Sequence, residues 1–167
     1  MAYEEAYYKV VQKFENFEIR SYQERYVIQV RYHNQDGGFQ KLFNYISGKN
    51  QKSEKIEMTT PVTQYASGNQ QVMQFYLPDR FDQNNAPIPL NNSVEVASIK
   101  AGYFAVIRYS GFASDKNFFK HASILKKNLE KEKIEFNEPP IKATYNGPFT
   151  LPNLRRNEAM YLVNWNN

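Results

Sequence analysis

Tyr26-Val27-Ile28-Gln29-Val30-Arg31-Tyr32 and Tyr103-Phe104-Ala105-Val106-Ile107-Arg108-Tyr109 align without a gap, each a tyrosine-ended run dominated by β-branched and aromatic residues. Runs of this kind fit a pleated, half-buried surface and predict strands. Their surroundings repeat in order, though little in identity. "FEIRSY" precedes the first run and "VEVASI" the second, so each half is expected to open with a hairpin, turning near Gln23 and Glu24 in one case and through Lys100-Ala101-Gly102 in the other.

Each strand pair is followed by a helical pattern. Phe39, Leu42, Phe43 and Ile46 recur at i, i+3, i+4 and i+7, one face of a helix, and Gly48 stands where a helix commonly ends in the left-handed conformation. In the second half Phe118, Ala122, Leu125 and Leu129 form the matching face, with Ser114 placed to cap the N-terminus. Two further strands close each half: "KIEMTTPV" and "VMQFYLP" in the first, "PIKATYNGPF" and "AMYLVNW" in the second. The proline in the first of these belongs at a strand end. The fold expected is α+β: a distorted antiparallel β-barrel of about eight strands with two α-helices, given by a pseudo-twofold repeat of strand pair, helix and strand pair. One domain is expected over 1–167, with half-repeats of about 17–80 and 93–165, and "DRFDQNNAPIPLNNS" between them as an exposed connection.

Composition narrows the function. A chain of 167 residues buries roughly 70% of its unfolded surface. Thirteen Tyr and twelve Phe can build a core and still line a groove, because a tyrosine carries a large apolar body and a polar tip. The mean hydropathy of -0.71 and the absence of any apolar run near the ~18 residues of a membrane span argue against a span. The N-terminus "MAYEEAYYKV" has acidic residues where a signal peptide needs basic ones, so a cytoplasmic protein is expected. With no Cys, disulfides, thiolate nucleophiles, cysteine zinc sites and a cysteine haem ligand are excluded. The net charge of +4 is spread in mixed signs, Lys126, Lys127, Lys131 and Lys133 alternating with Glu130, Glu132 and Glu135, which reads as a solvated helix face rather than a nucleic-acid footprint.

The catalytic inventory is thin. No nucleophile elbow or phosphate-binding glycine loop occurs, and the two histidines match no metal-ligand spacing. No catalytic residue and no metal site is assigned. His33 lies in the polar turn "RYHNQDGG" and is read either as a solvated loop residue or as an iron ligand. His121 sits beside the apolar face of the second helix, where a histidine packs. Phe39, Phe43 and Tyr45 on the first helix, Met58 beyond it, and Tyr145, Pro148 and Phe149 in the second half are either core or a surface for a planar hydrophobic ligand.

Four motifs in order decide between these readings: Glu18-Ile19-Arg20-Ser21-Tyr22, Tyr45-Ile46-Ser47-Gly48-Lys49-Asn50, Met58-Thr59-Thr60-Pro61-Val62 and Arg155-Arg156-Asn157-Glu158. The chain resembles the SOUL family of haem-binding proteins over about 7–164. The resemblance implies a distorted β-barrel with two helices that binds haem or a related porphyrin as a ligand, in a shallow groove beside the first helix. Carried over by position, the groove would use Phe39, Phe43, Asn44, Tyr45, Met58, Tyr145 and Phe149, with His33 at its edge. Relatives carry basic residues on this helix for the propionates; the matching positions are Asp36 and Asn44, and Lys41, Lys49 or Lys55 are the cations at hand. Glu158 is expected to pair an arginine in a structural role. The expectation is a soluble carrier or buffer for a tetrapyrrole, with no nucleic acid and no membrane span. The same two-repeat architecture also resembles bacterial GyrI-like ligand-sensing domains. An enzyme or sensor for another amphipathic molecule, and a protein-docking module, remain the alternatives.

Overall fold

The computed structural model describes residues 3–33 and 37–166. In chain order its elements are strands β1 (Glu4–Glu5), β2 (Tyr8–Lys13), β3 (Glu18–Tyr22) and β4 (Arg25–Tyr32), helix α1 (Gly38–Ile46), strands β5 (Thr59–Thr60), β6 (Val62–Ser67), β7 (Gln70–Tyr76), β8 (Val94–Ile99) and β9 (Gly102–Tyr109), helix α2 (Asp115–Lys131), strand β10 (Glu135–Thr144), a 3-10 turn at Pro152–Leu154, and strand β11 (Asn157–Asn164). The class is α+β, with antiparallel sheets and a short parallel pair of β1 with β5.

The expected hairpins do not form. β3 pairs with β2 and β9, and β4 pairs with β7 and β8. The cause is local. A two-residue hairpin turn needs residues at positive φ, and neither Gln23-Glu24 nor Lys100-Ala101 has one, whereas the true hairpin β6–β7 turns on Gly68 at φ 62°. Each half therefore gives its opening strand to the other half's second strand. The compact units are accordingly Met1–Ala6 with Glu24–Lys100, and Tyr7–Gln23 with Ala101–Asn167.

Within the first unit the strand order is β6-β7-β4-β8, and within the second it is β2-β3-β9-β11-β10. The registers correspond. Tyr32 lies opposite Gln71 as Tyr109 lies opposite Asn157, and Tyr26 lies opposite Ser98 as Tyr103 lies opposite Ser21. Pro61, in the break between β5 and β6, and Pro139, within β10, each follow a cis peptide bond. In the first unit α1 covers one sheet face, packing Leu42, Tyr45 and Ile46 onto Ile28, Val30, Met73 and Phe75. In the second, Phe118, Ala122, Leu125 and Leu129 of α2 pack onto Ala105, Ile107, Ala159 and Tyr161. The buried positions on α2 are the expected ones. On α1 the expected face is rotated, so that Phe39 and Phe43 stay 46% and 43% exposed.

Helix ends follow the sequence. Ser114 caps α2 by accepting from the Asn117 N–H at 3.2 Å, and Asp115 stands in the first turn. α1 starts at Gly37, which sits at φ 64° and supplies no side-chain cap, and it ends at Ser47 and Gly48, the latter at φ 116°.

Candidate functional site

In the first unit the residues expected around α1 divide between the helix's two flanks. At 100° per residue, Lys41 and Phe43 stand on opposite sides of the buried stripe. On one flank Phe39 and Phe43 stack with ring centres 6.0 Å apart, and Phe39 meets the Phe75 ring at 5.1 Å. Aromatic pairs of this geometry are ordinary inside a core; here both rings keep nearly half of their surface open. Met58 is half-buried and packs against the same core.

The other flank borders a groove of about 350 Å³ lined by Lys41, Asn44, Tyr45, Lys49, Leu90 and Asn91, among others. Tyr45 is a structural wall rather than a mobile group: it is buried, and its hydroxyl donates to the Pro87 carbonyl at 2.6 Å. Burial, with a smaller push from Glu54, raises that hydroxyl to about 12, which keeps it a donor. Asn44 accepts from the Gln40 amide at 2.8 Å. Asn50 anchors the groove's far side by donating to the Tyr45 and Glu54 carbonyls, while Asn50 and Pro89 form a bridge. Ile88, Pro89 and Leu90 come from the segment expected to be only an exposed connection. Their apolar run inside a polar loop was the available signal. Lys55 is exposed and does not line the groove, His33 is exposed at the end of β4, and Asp36 lies outside the described residues.

Tyr145 and Phe149 belong to the second unit. Phe149 is 96% exposed. Tyr145 joins a buried polar cluster in which the first and last motifs meet. Arg20 donates to both carboxylate oxygens of Glu158 at 2.8 Å and to Glu18 at 2.7 Å. Arg156 donates to Glu158 at 3.0 and 3.1 Å, and the Tyr145 hydroxyl donates at 2.6 Å. The guanidinium of Arg20 lies 4.0 Å from the Tyr8 ring centre and that of Arg156 lies 3.8 Å from the ring centre of Tyr145. Glu158 is fully buried. Burial alone would raise its carboxyl, but the bonds and charge of Arg20, with help from Tyr145 and Arg156, hold it below the usual carboxylate range. Burial and the neighbouring carboxylate push the Tyr145 hydroxyl up. With both oxygens taken by such donors, Glu158 is a saturated structural anion, as expected from the sequence.

His121 stacks on Tyr109 with ring centres 4.0 Å apart and interplanar angle 4°, and its Nδ1 lies 2.8 Å from the Asn117 carbonyl oxygen. This is a packing role. Among the described residues no group of three or more His, Asp and Glu side chains is placed to hold a metal ion, and no helix is long and apolar enough to cross a membrane.

Residues 3–162 match the SOUL heme-binding protein family. The chain belongs to that family. Heme-binding protein 2 of Mus musculus is 32% identical over 137 residues, a match covering 77% of this chain and 65% of that protein's length. Heme-binding protein 1 of Xenopus tropicalis is 24% identical over 131 residues, covering 74% of this chain and 68% of that protein. Among solved structures, an uncharacterized conserved protein from Listeria innocua shares the fold at a TM-score of 0.69 and 10% identity, over 92% of this chain and 94% of that one. The SOUL motifs thus have two distinct locations. Arg20 and Glu158 bind each other inside the second unit, while Tyr45 to Asn50 builds the end of α1 and the groove wall in the first.

Proposed function

We propose that this SOUL protein binds haem or a related tetrapyrrole against α1, as a soluble cytoplasmic carrier or buffer rather than a catalyst. Family membership supports the ligand class. The observation that carries the location is the exposed, mutually stacked Phe39–Phe43 pair, an apolar surface on which a porphyrin face can lie. Lys41 and Lys49 on the other flank supply cations of the type propionates need. The test is hemin titration followed by absorbance. Binding is expected at micromolar affinity or tighter, about -8 kcal/mol or better. Phe43→Asp puts a carboxylate against the porphyrin face and should weaken binding at least tenfold. An unchanged dissociation constant in Phe43→Asp, with a loss in the Lys41→Glu/Lys49→Glu double variant, would move the ligand to the groove on the opposite flank. Absence of any hemin binding would remove the proposal.

A further inference from the structure

The solvent side of α2 carries a row of cations. At 100° per residue, Lys116, Lys120, Lys127 and Lys131 lie within about 60° of one another, on the side away from the buried Phe118, Ala122, Leu125 and Leu129. All four are exposed, and none takes part in any of the ion pairs formed among the described residues. The acidic residues close by do not neutralise the row. Asp115 is taken by Lys142 at 3.3 Å, Glu138 by Lys126 at 2.9 Å, and Glu130 stands at the row's edge, on the side of Phe119. Charge alternation along the sequence therefore resolves in space into a one-signed stripe.

At the N-terminal end of this stripe the protein exposes large apolar side chains: Phe112, Phe119, Phe149, Leu151 and Leu154. They sit on an organised frame. The Gly111 N–H donates to the Pro152 carbonyl at 2.8 Å, which joins the loop before α2 to the 3-10 turn. Asn117, in the first turn of α2, donates to the carbonyls of Ser110 and Phe112 at 3.2 and 2.9 Å. Arg155 donates to the Thr150 and Gly147 carbonyls at 3.1 and 3.0 Å, tying down the loop that carries Phe149. The tip is apolar, its backbone is held, and cations run back from it.

We propose that this face of the second unit docks on the surface of an anionic lipid bilayer, with the lysine row over the headgroups and the phenylalanine and leucine tip in the boundary of the acyl layer. The charge of the row is complementary to acidic phospholipids, and a surface combining lysines with exposed Phe and Leu is what interfacial binding uses. Nucleic acid also attracts lysines, but it offers no apolar phase for Leu151, Leu154 and a wholly exposed Phe149. The phosphate backbone would use the stripe and leave the tip in water.

The test is flotation of the full chain with phosphatidylcholine vesicles, with and without phosphatidylserine. Partition onto phosphatidylserine vesicles is expected to exceed that onto phosphatidylcholine at least tenfold and to fall with added salt. Each lysine neutralised should cost about fivefold, so Lys116→Gln/Lys120→Gln/Lys127→Gln should lose on the order of a hundredfold. Phe149→Ser/Leu154→Ser, which changes no charge, should lose about tenfold or more. All five side chains are exposed, and unchanged circular dichroism would establish that the variants fold. Equal partition onto both vesicle types overturns the proposal, as does full retention by either variant. Binding to a duplex DNA fragment that is lost in the lysine variant but kept in Phe149→Ser/Leu154→Ser, without vesicle binding, would overturn it in favour of a nucleic-acid surface.

Discussion

The two units carry opposite chemistry at corresponding places. Glu158 lies opposite Arg108 on β9 as Val72 lies opposite Arg31 on β4, and Arg20 lies opposite Phe104 as Ala97 lies opposite Val27. Glu158 and Val72 are both completely buried. The first unit places its polar row elsewhere. Thr63 donates to Gln74 at 3.0 Å, Gln74 to Gln29 at 2.9 Å, and Gln29 to Glu95 at 2.7 Å. In place of Thr63, Gln74 and Gln29 the second unit has Ile141, Met160 and Val106, and Glu95 alone has a polar counterpart, Glu18. One strand plan thus accommodates an ionic layer or an apolar one. The difference is in dependence. A buried valine needs only to be packed, whereas a buried carboxylate needs every partner it has.

The largest expected effect breaks this contrast directly. Glu158→Gln removes the buried carboxylate that Arg20 and the half-buried Arg156 share, leaving Arg20 with Glu18 as its remaining anion, and should cost about 3–5 kcal/mol in urea unfolding. Val72→Ala at the corresponding position should cost about 2 kcal/mol. Equal losses would mean that the cluster is no more demanding than a packed side chain. The pH dependence has a definite sign. The folded carboxyl of Glu158 is held below its unfolded value, so its stabilisation is complete above about pH 4.3, where an unfolded glutamate has ionised. It is lost as pH falls through the folded-state value. Glu158→Gln should lack that part of the acid unfolding profile.

A smaller effect sharpens the comparison. Arg20→Ala/Glu158→Val gives the second unit the residues that the first unit uses. Replacing a buried ion pair by apolar residues is often neutral or favourable by about 1–4 kcal/mol, whereas removing one partner leaves an uncompensated charge. The double variant should therefore recover about 1–3 kcal/mol relative to Glu158→Val alone. A double variant no more stable than the single one would show that Arg156, Tyr145 and Glu18 require the ion pair in place.

Much of this arrangement was legible in the sequence, and the misses have specific causes. The tyrosine-ended repeat, both helices and the Ser114 cap were readable, because local periodicity and capping chemistry determine them. That Glu158 pairs an arginine was expected too, but not that the bidentate partner is Arg20, far away in the chain. Strand pairing was not, since a two-residue connector looks like a turn until φ is considered. Gly68-Asn69 had the turn chemistry that Gln23-Glu24 and Lys100-Ala101 lack. Around α1 the sequence grouped Phe43, Asn44 and Tyr45 as one surface, although successive residues on a helix face different ways. The lysine row on α2 was hidden by the alternation of signs along the chain, because Glu130 stands only at the row's edge while Glu132 and Glu135 lie beyond the end of the helix.

The helices give a prediction of about 1 kcal/mol. Ser114→Ala removes the cap of α2 and should cost about that much, with the loss seen in urea unfolding. α1 has no side-chain cap and spans 9 residues against 17 in α2. The amides of its last turn should exchange with solvent faster than those of Ala122 to Leu129. Slower exchange in α1 would mean that its packing on β4 and β7 outweighs the missing cap.

The smallest effect concerns the two histidines, one in each unit. His121 is stacked on Tyr109 with its Nδ1 at hydrogen-bond distance from the Asn117 carbonyl, so turning it toward an iron would break both contacts. His33 is exposed between β4 and α1, ahead of the helix that carries Phe39 and Phe43. Of the two it alone stands next in chain to the proposed porphyrin surface. A haem held through its faces and propionates, with water on the iron, needs neither histidine. On that basis His33→Ala should change the hemin dissociation constant by no more than about threefold, roughly 0.65 kcal/mol, and leave the Soret band where it is. His121→Ala should leave affinity equally unmoved while lowering stability through the lost stack. A tenfold loss of affinity with a shifted Soret band in His33→Ala, and neither change in His121→Ala, would assign His33 as the iron ligand.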